Sequence, residues 1–315
     1  MTSGSDRSPE VGLVWALFAV VTVEVFVTYA RLPPSDLYHV TGSGAEGGAS
    51  RALLFLNFPV ALAAIAILLV LLGRLESRGA RAVALLAIVL CAAVLWPKIV
   101  NQDKLDARPV NAIAAIGVAL AFGLTLWAAR RGIVGKLEWR RSDLGRLVLG
   151  VVLVAVALPW MAADLGFSFD GVPVLGTLYQ TGELRTQPGD PVFHHAVHHG
   201  HHHGMDGVLL FATALLLSRL VPSIRGRLLR GLAGAYLALL ACYGAGDIAN
   251  DFWLEQVVKR GWTLWEVPDV TTPKASAAWA IVVIAAIVLW VAFVLPLVRA
   301  SSPDGTRLEA PRPGV

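Results

Sequence analysis

Residues 194–206 read His-His-Ala-Val-His-His-Gly-His-His-His-Gly-Met-Asp, which places all but one of the chain's 8 histidines within a single short tract. A neutral imidazole nitrogen offers a lone pair, so the tract is a candidate source of metal ligands. On a helix, His195, His199, His202 and Asp206 fall at offsets of 4, 7 and 11 and share one face. His198 adds a further candidate ligand. Asp247-x-x-x-Asp251 repeats the spacing of His202-x-x-x-Asp206. Two such helices could supply a mixed nitrogen and oxygen shell for a divalent transition metal: zinc, iron or manganese. Gly200 and Gly204 weaken the helix, so several subsets of these histidines could be ligands. A tract that merely titrates, at about pH 6–7, is the plainer alternative. Two more carboxylates, Glu24 and Asp164, sit near the ends of apolar stretches and are candidates for general acid/base work.

The elements that must position these groups are set by composition. The 315 residues are 56% hydrophobic and 15% charged, against roughly 45–50% and about 25% in soluble domains. Mean hydropathy is +0.66. This excludes a disordered chain, a disulfide scaffold and an ordinary soluble enzyme. A helix needs about 20 apolar residues to cross the hydrocarbon core. Eight stretches qualify or nearly so: Val11–Ala30, Ala52–Gly73, Ala82–Val100, Val110–Ala129, Leu147–Leu165, His201–Leu220, Leu232–Asp247 and Ala277–Val298. The sixth spans only if it reaches back to His201, which draws histidines to the interface. The first follows Arg7 but lacks a clean small-x-small cleavage site and reads as an uncleaved helix. The expected fold class is therefore all-α integral membrane, with eight transmembrane helices.

Lys and Arg set the orientation. Of the 26, seventeen fall in one alternate set of connections and nine in the other. The rule puts both termini in the cytoplasm of a multi-pass protein of the cell membrane. The net charge of +4 is then a topology signal, and no nucleic acid partner is implied. All 8 His and most acids fall on the outer side. Cys91 and Cys242 lie within spans and read as small packing residues.

Internal similarity suggests duplication. The acids Glu24 and Asp164 are followed by Leu37-Tyr38 and Leu178-Tyr179, then by Thr41-Gly42 and Thr181-Gly182. Leu53-Leu54-Phe55 matches Leu209-Leu210-Phe211. The segments at Ile99–Asp106 and Ile248–Glu255 also align. The expectation is two four-helix units, 1–135 and 140–300, related by a pseudo-twofold axis along the membrane normal. The His-rich outer segment 194–206 belongs to the second. Residues 301–315 read as a mobile cytoplasmic tail. Pro188-Gly189 reads as a turn within a long outer connection.

Polar groups share a depth. Glu24, Asp164, Asn57, Asn101, Asn111, Asn250, Asp247 and Asp251 all fall toward the outer ends, while Arg219 is the one charge expected in the inner halves. Asn101 and Asn250 read as helix caps. Trp96, Trp160, Trp253, Trp262 and Trp265 read as an interfacial belt. No Gly-Lys-Ser/Thr phosphate loop and no Gly-x-Ser-x-Gly elbow is present. The leading expectation is a metal-dependent membrane enzyme acting on a lipid or small apolar molecule from the outer leaflet. A divalent transition-metal transporter or metal-binding accessory protein is the alternative, and a non-catalytic scaffold with pH-sensing histidines is a third reading. Oligomeric state is not legible.

Overall fold

The computed structural model describes residues 9–33, 41–96, 99, 106–132, 143–167, 171–173, 184–187, 190–195, 203–258, 261–271 and 273–296. The helices are α1 (Pro9–Arg31), α2 (Gly44–Phe55), α3 (Pro59–Leu72), α4 (Arg78–Ala92), α5 (Ala112–Arg130), α6 (Asp143–Asp164), α7 (His203–Leu217), α8 (Arg227–Trp253) and α9 (Ala277–Leu289). One two-stranded antiparallel hairpin, β1 (Leu184–Gln187) and β2 (Asp190–His195), interrupts them. Among the described residues, eight helical stretches are long and apolar enough to cross a membrane, with α2 and α3 together making the second. They fall where the hydropathy placed them, as in a multi-pass membrane protein.

Three boundaries differ from expectation. The second span is not continuous. It breaks at Leu56–Phe58, because Pro59 has no N–H to donate and disfavours a helical residue before it. Asn57 Nδ2 compensates by donating to the Leu53 carbonyl (3.1 Å) and to the Asn111 carbonyl of the fourth span (2.8 Å). The seventh span does not stop at Asp247. It runs from Arg227 through Val258, 32 residues, roughly 48 Å at 1.5 Å per residue. That exceeds the roughly 30 Å hydrocarbon core, so one end projects beyond it. Asn250 is consequently inside α8 and is not a cap; Asn101 lies outside the described residues. Finally, α7 begins at His203 and His195 ends a strand. Extended residues cannot share a helical face with Asp206, so the one-face arrangement does not reach His195.

Contacts between connections show that successive spans alternate in direction. At one end, Arg74 Nη2 donates to Ser223 Oγ, and Glu76 pairs with Arg225. At the other, Thr41 bonds Asp106, the Ala107 amide donates to Ser50 Oγ (2.7 Å), and Asn111 Nδ2 donates to Asn57 Oδ1 (3.2 Å). These are called below the basic and the acidic ends.

α3 and α7 form the centre. The second span is 78% buried over its apolar window and the sixth 72%, against 39% or less in the other six. α4 and α5 pack on α3, α6 on α7, and α9 on α8. The outer helices turn apolar faces outward, such as Val151, Val154 and Leu158 on α6 and Ile281, Ile284 and Val288 on α9. These are the faces lipid would cover. Polar bonds tie helices across the bundle: Tyr236 OH donates to the Leu62 carbonyl (2.9 Å) and Trp15 Nε1 to Thr125 Oγ1 (3.1 Å).

At the crossing of α7 and α8 a glycine on each helix faces the other's backbone. A Cβ built on Gly207 would lie 2.7 Å from the Gly244 carbonyl oxygen and 2.9 Å from the Ile248 nitrogen. One built on Gly244 would lie 2.6 Å from the Gly207 carbonyl oxygen. Backbone touches backbone here, and only glycine at both positions permits it. Cys91 is free and buried, and packs against Gly117 of α5.

Gly207→Ala and Gly244→Ala should each destabilise the protein by about 1–3 kcal/mol, since the clash is with backbone and cannot relax by a rotamer change. Gly123→Ala and Gly150→Ala, which meet nothing within 4 Å, should be neutral or stabilising. Thermal unfolding in detergent of all four variants decides the point. Equal melting temperatures would remove the crossing from its central place.

Candidate functional site

The α7/α8 crossing gathers carboxylates at the acidic end. Asp206 lies in the first turn of α7, where the helix dipole favours a negative charge. Asp247 and Asp251 lie one turn apart on α8 and so share a face. Asp206, Asp251 and Asp269 are all near enough for their charges to act on Asp247. Asp247 is 0% exposed, Asp251 1% and Asp206 7%, so none is a solvated helix end. Neither carboxylate oxygen of Asp247 has a hydrogen-bond partner among the described residues. Trp160 of α6 closes the other side. It is not part of an exposed belt: its indole is fully buried and packs on Gly204, where a Cβ would meet the ring and would lie 2.7 Å from Asp251 Oδ2. Trp96, Trp262 and Trp265 are exposed, as an interfacial position requires.

The connection before α9 folds back along α8. Tyr243 OH donates to the Thr271 carbonyl (2.8 Å), and Trp253 Nε1 donates to the Trp265 carbonyl (2.9 Å). Asn250 Nδ2 faces the Val267 and Pro268 carbonyls at 3.5 and 3.4 Å. Asp269 organises this segment. Its Oδ1 accepts from the Thr271 amide (2.8 Å) and hydroxyl (2.6 Å), and its Oδ2 accepts from Lys274 Nζ. Partial burial pushes the Asp269 carboxyl up, but the bonds from Lys274 and Thr271 outweigh it and hold the group below the usual carboxylate range.

Glu24 and Asp164 meet around a different pair. Tyr29 is fully buried on α1, with the Arg51 guanidinium of α2 over its ring at 5.4 Å from the centroid. The charges of both Asp164 and Glu24 act on Tyr29. Thr28 Oγ1 donates to Glu24 Oε1 (3.2 Å). The expected acid/base pair therefore belongs to one neighbourhood built by α1, α2 and α6. Trp160 lies one turn before Asp164 on α6 and links this neighbourhood to the first. Tyr29, Arg51 and Trp160 were not singled out by sequence as site residues. Tyr29 and Arg51 join across separate helices, which no local spacing reveals.

Among the histidines, His195 pairs with Leu184 in the hairpin. His198, His199 and His202 lie outside the described residues. Among the described residues, no group of three or more His, Cys, Asp or Glu is close enough to hold a metal ion.

The basic end carries the buried charge of Arg219, the one charge the sequence places in the inner halves, together with two carboxylates that spacing does not pair with it. Arg219, after α7, is 8% exposed; its Nη1 meets Glu10 Oε1 at 2.5 Å and its Nη2 meets Asp143 Oδ2 at 2.8 Å. Arg146 also reaches Asp143, at 3.3 Å. Glu10 and Asp143 occupy the first turns of α1 and α6, so each carboxylate also faces a positive helix end. First-turn acids on two spans, with an arginine ending a third on the same side, are the sequence signal for this network.

No protein family, curated protein or solved structure matches the chain.

Two outcomes follow from this geometry. Arg219→Met should cost about 3–5 kcal/mol, because Glu10 and Asp143 stay buried without the guanidinium they share. Adding Glu10→Gln and Asp143→Asn should recover most of that loss. Single and triple variants of equal stability would show that the three are not coupled. The second concerns pH. A carboxyl held below its unfolded pKa contributes stability above that pKa, and loses it as pH falls through the folded value. Lys274→Ala should therefore raise the pH at which Asp269 titrates, as followed by carboxyl-carbon NMR. An unchanged titration would remove Lys274 as the cause.

Proposed function

We propose that the acidic end is an outward-facing site holding a divalent transition metal (zinc, iron or manganese), and that the protein is a membrane enzyme acting there on a lipid or small apolar molecule. The observation that carries this reading is Asp247: a carboxylate at 0% exposure, with neither oxygen hydrogen-bonded among the described residues. A buried charge of this kind calls for a cation or a proton. Asp206 and Asp251 flank it, and the histidine tract runs directly into the helix that carries Asp206. Imidazole with carboxylate suits the metals named. Such an ion supplies a Lewis acid or an activated water. Glu24 and Asp164, whose charges both act on Tyr29, would be the groups that move a proton.

In this reading the basic end is cytoplasmic, both termini with it, and the membrane is the cell membrane. The two halves are duplicated units. This is supported by the fact that the second span of each half is the buried one at the centre.

The second reading, a transition-metal transporter, is favoured by the broken span. The α2/α3 break brings Phe58 against Tyr243, ring centroids 6.2 Å apart, one turn from Asp247. Discontinuous helices beside a buried acid are a common setting for a transported ion.

Metal analysis of the purified protein tests both. The expected result is about one metal ion per chain, lost in Asp247→Asn and in His199→Ala/His202→Ala. Equal metal in wild type and variants, or none in any, ends the proposal. Flux of radiolabelled metal into proteoliposomes, abolished by Asp247→Asn, would select the transporter over the enzyme.

A further inference from the structure

The connection 73–77 between α3 and α4 and the segment 222–226 before α8 lie against each other at the basic end. Gly73 packs on Ile224, and a Cβ built on it would stand 3.2 Å from the Arg225 nitrogen. Arg74 bonds Ser223 and Glu76 pairs with Arg225, and in both contacts the partners are 149 residues apart. The two turns are built alike at that same spacing. Arg81 Nε donates to the Leu75 carbonyl (2.7 Å), and Arg230 Nε donates to the Ile224 carbonyl (3.1 Å). Each turn is thus fastened by an arginine of the helix that follows it. Arg78 and Arg227 are the first residues of those helices, α4 and α8. Both are exposed, and neither makes an ion pair or hydrogen bond among the described residues. Residues 73–81 and 222–230 together hold six arginines and one acid, Glu76, which Arg225 already meets.

We propose that these paired turns bind anionic phospholipid of the leaflet at the basic end, with Arg78 and Arg227 taking the lipid phosphate groups. A guanidinium presents a planar fork of donors that matches two phosphate oxygens. Neither helix has an acid in its first turn, so the positive helix end adds to the attraction for an anion. Arg81 and Arg230 are engaged by backbone carbonyls and act as positioning residues for the turns. The topology rule asks only that positive charge lie on one side of the membrane, on any of its connections. Here two connections are joined to each other, which concentrates that charge at one place. The apolar surface beside it favours a lipid over a soluble phosphate. Leu85 and Val89 stand seven and eleven residues after Arg78, on the same face of α4, and both are exposed. An acyl chain lying on that face brings its phosphate to Arg78. Leu228, the residue after Arg227, is 77% exposed, so the start of α8 is open to lipid as well. A zwitterionic headgroup brings its own ammonium, which the arginines repel, so an anionic headgroup gains more. This site lies at the opposite end from the proposed metal and does not depend on it.

The test uses the full chain, delipidated in detergent, with lipid binding read by native mass spectrometry. The probes are dioleoyl phosphatidylglycerol, dioleoyl phosphatidylcholine and sn-glycerol 3-phosphate. Phosphatidylglycerol should bind at least about tenfold more tightly than phosphatidylcholine. Glycerol 3-phosphate, which has the phosphate and no acyl chain, should not displace it at equal concentration. This series needs no variant, so it stands even if a substitution disturbs folding. Arg78→Gln/Arg227→Gln should weaken phosphatidylglycerol about tenfold and leave phosphatidylcholine unchanged. Arg130→Gln/Arg131→Gln removes the same charge from the basic end, at the close of α5, and should cost less than about threefold. Equal affinity for the two lipids, displacement by glycerol 3-phosphate, full affinity in Arg78→Gln/Arg227→Gln, or an equal loss in the α5 variant would each overturn the inference. Metal content should be the same in all of these variants, so this claim and the proposed function fail on different readouts.

Discussion

The backbone contact between Gly207 and Gly244 is the constraint on which the acidic end depends. Lipid is as apolar as leucine, so helices in a bilayer gain little from burying apolar surface against each other. Association comes from close packing, and here α7 and α8 approach until carbonyl oxygens meet the opposite backbone. That approach fixes which side chains flank the seam. On α7 they are Gly204 and Asp206; on α8, Tyr243, Asp247 and Asp251. Three carboxylates converge because the backbones must, and each would otherwise prefer water. The connection before α9 then ties onto α8 through Tyr243, Asn250 and Trp253 and lies over the same stretch.

The second device is the break in the second span. Pro59 stops α2, and Asn57 takes over the hydrogen bonding that the helix loses. Its bond to the Asn111 carbonyl locks the second and fourth spans together. Asn111 in turn accepts from the Arg108 amide (2.8 Å) and donates to the Ile99 carbonyl (3.2 Å). Polar side chains in this chain thus serve two ends: they repair irregular backbone, or they gather where the helices leave the apolar core.

Much of this was legible in sequence because a bilayer permits few solutions. Every span must be helical and apolar, so hydropathy located eight of them, and the polar groups had to collect at their ends. Pro59 after Asn57-Phe58 carried the signal for the break, and it was outweighed by the apolar run around it. The overrun of α8 was hidden because Gly244, Gly246, Asp247 and Asn250 dilute hydropathy while the helix continues. Val192-Phe193 before His194-His195 favoured a strand, but the histidine spacing suggested a helix. The pairings of Arg219 with Glu10 and of Tyr29 with Arg51 depend on which helices are neighbours, and spacing along the chain does not contain that. Of the segments that suggest duplication, Leu37-Tyr38, Leu178-Tyr179, Thr181-Gly182 and Asn101 lie outside the described residues.

The two ends solve the problem of buried acid in opposite ways. At the basic end, Glu10 and Asp143 share one guanidinium and stand at helix N-termini, so their charges are met within the protein. Such a cluster holds α1, α6 and α7 together. At the acidic end, Asp269 is met by Lys274 and Thr271, and Tyr29 by Arg51. Asp247 has no such partner among the described residues. An uncompensated buried carboxylate costs several kcal/mol, a large part of the net stability of a folded chain. It persists only where the surroundings cannot relax, and the Gly207/Gly244 crossing cannot, since it is backbone against backbone. The rigid contact that builds the bundle thereby keeps the Asp247 carboxylate buried with no hydrogen-bond partner among the described residues. That is the place where an occupant would gain most.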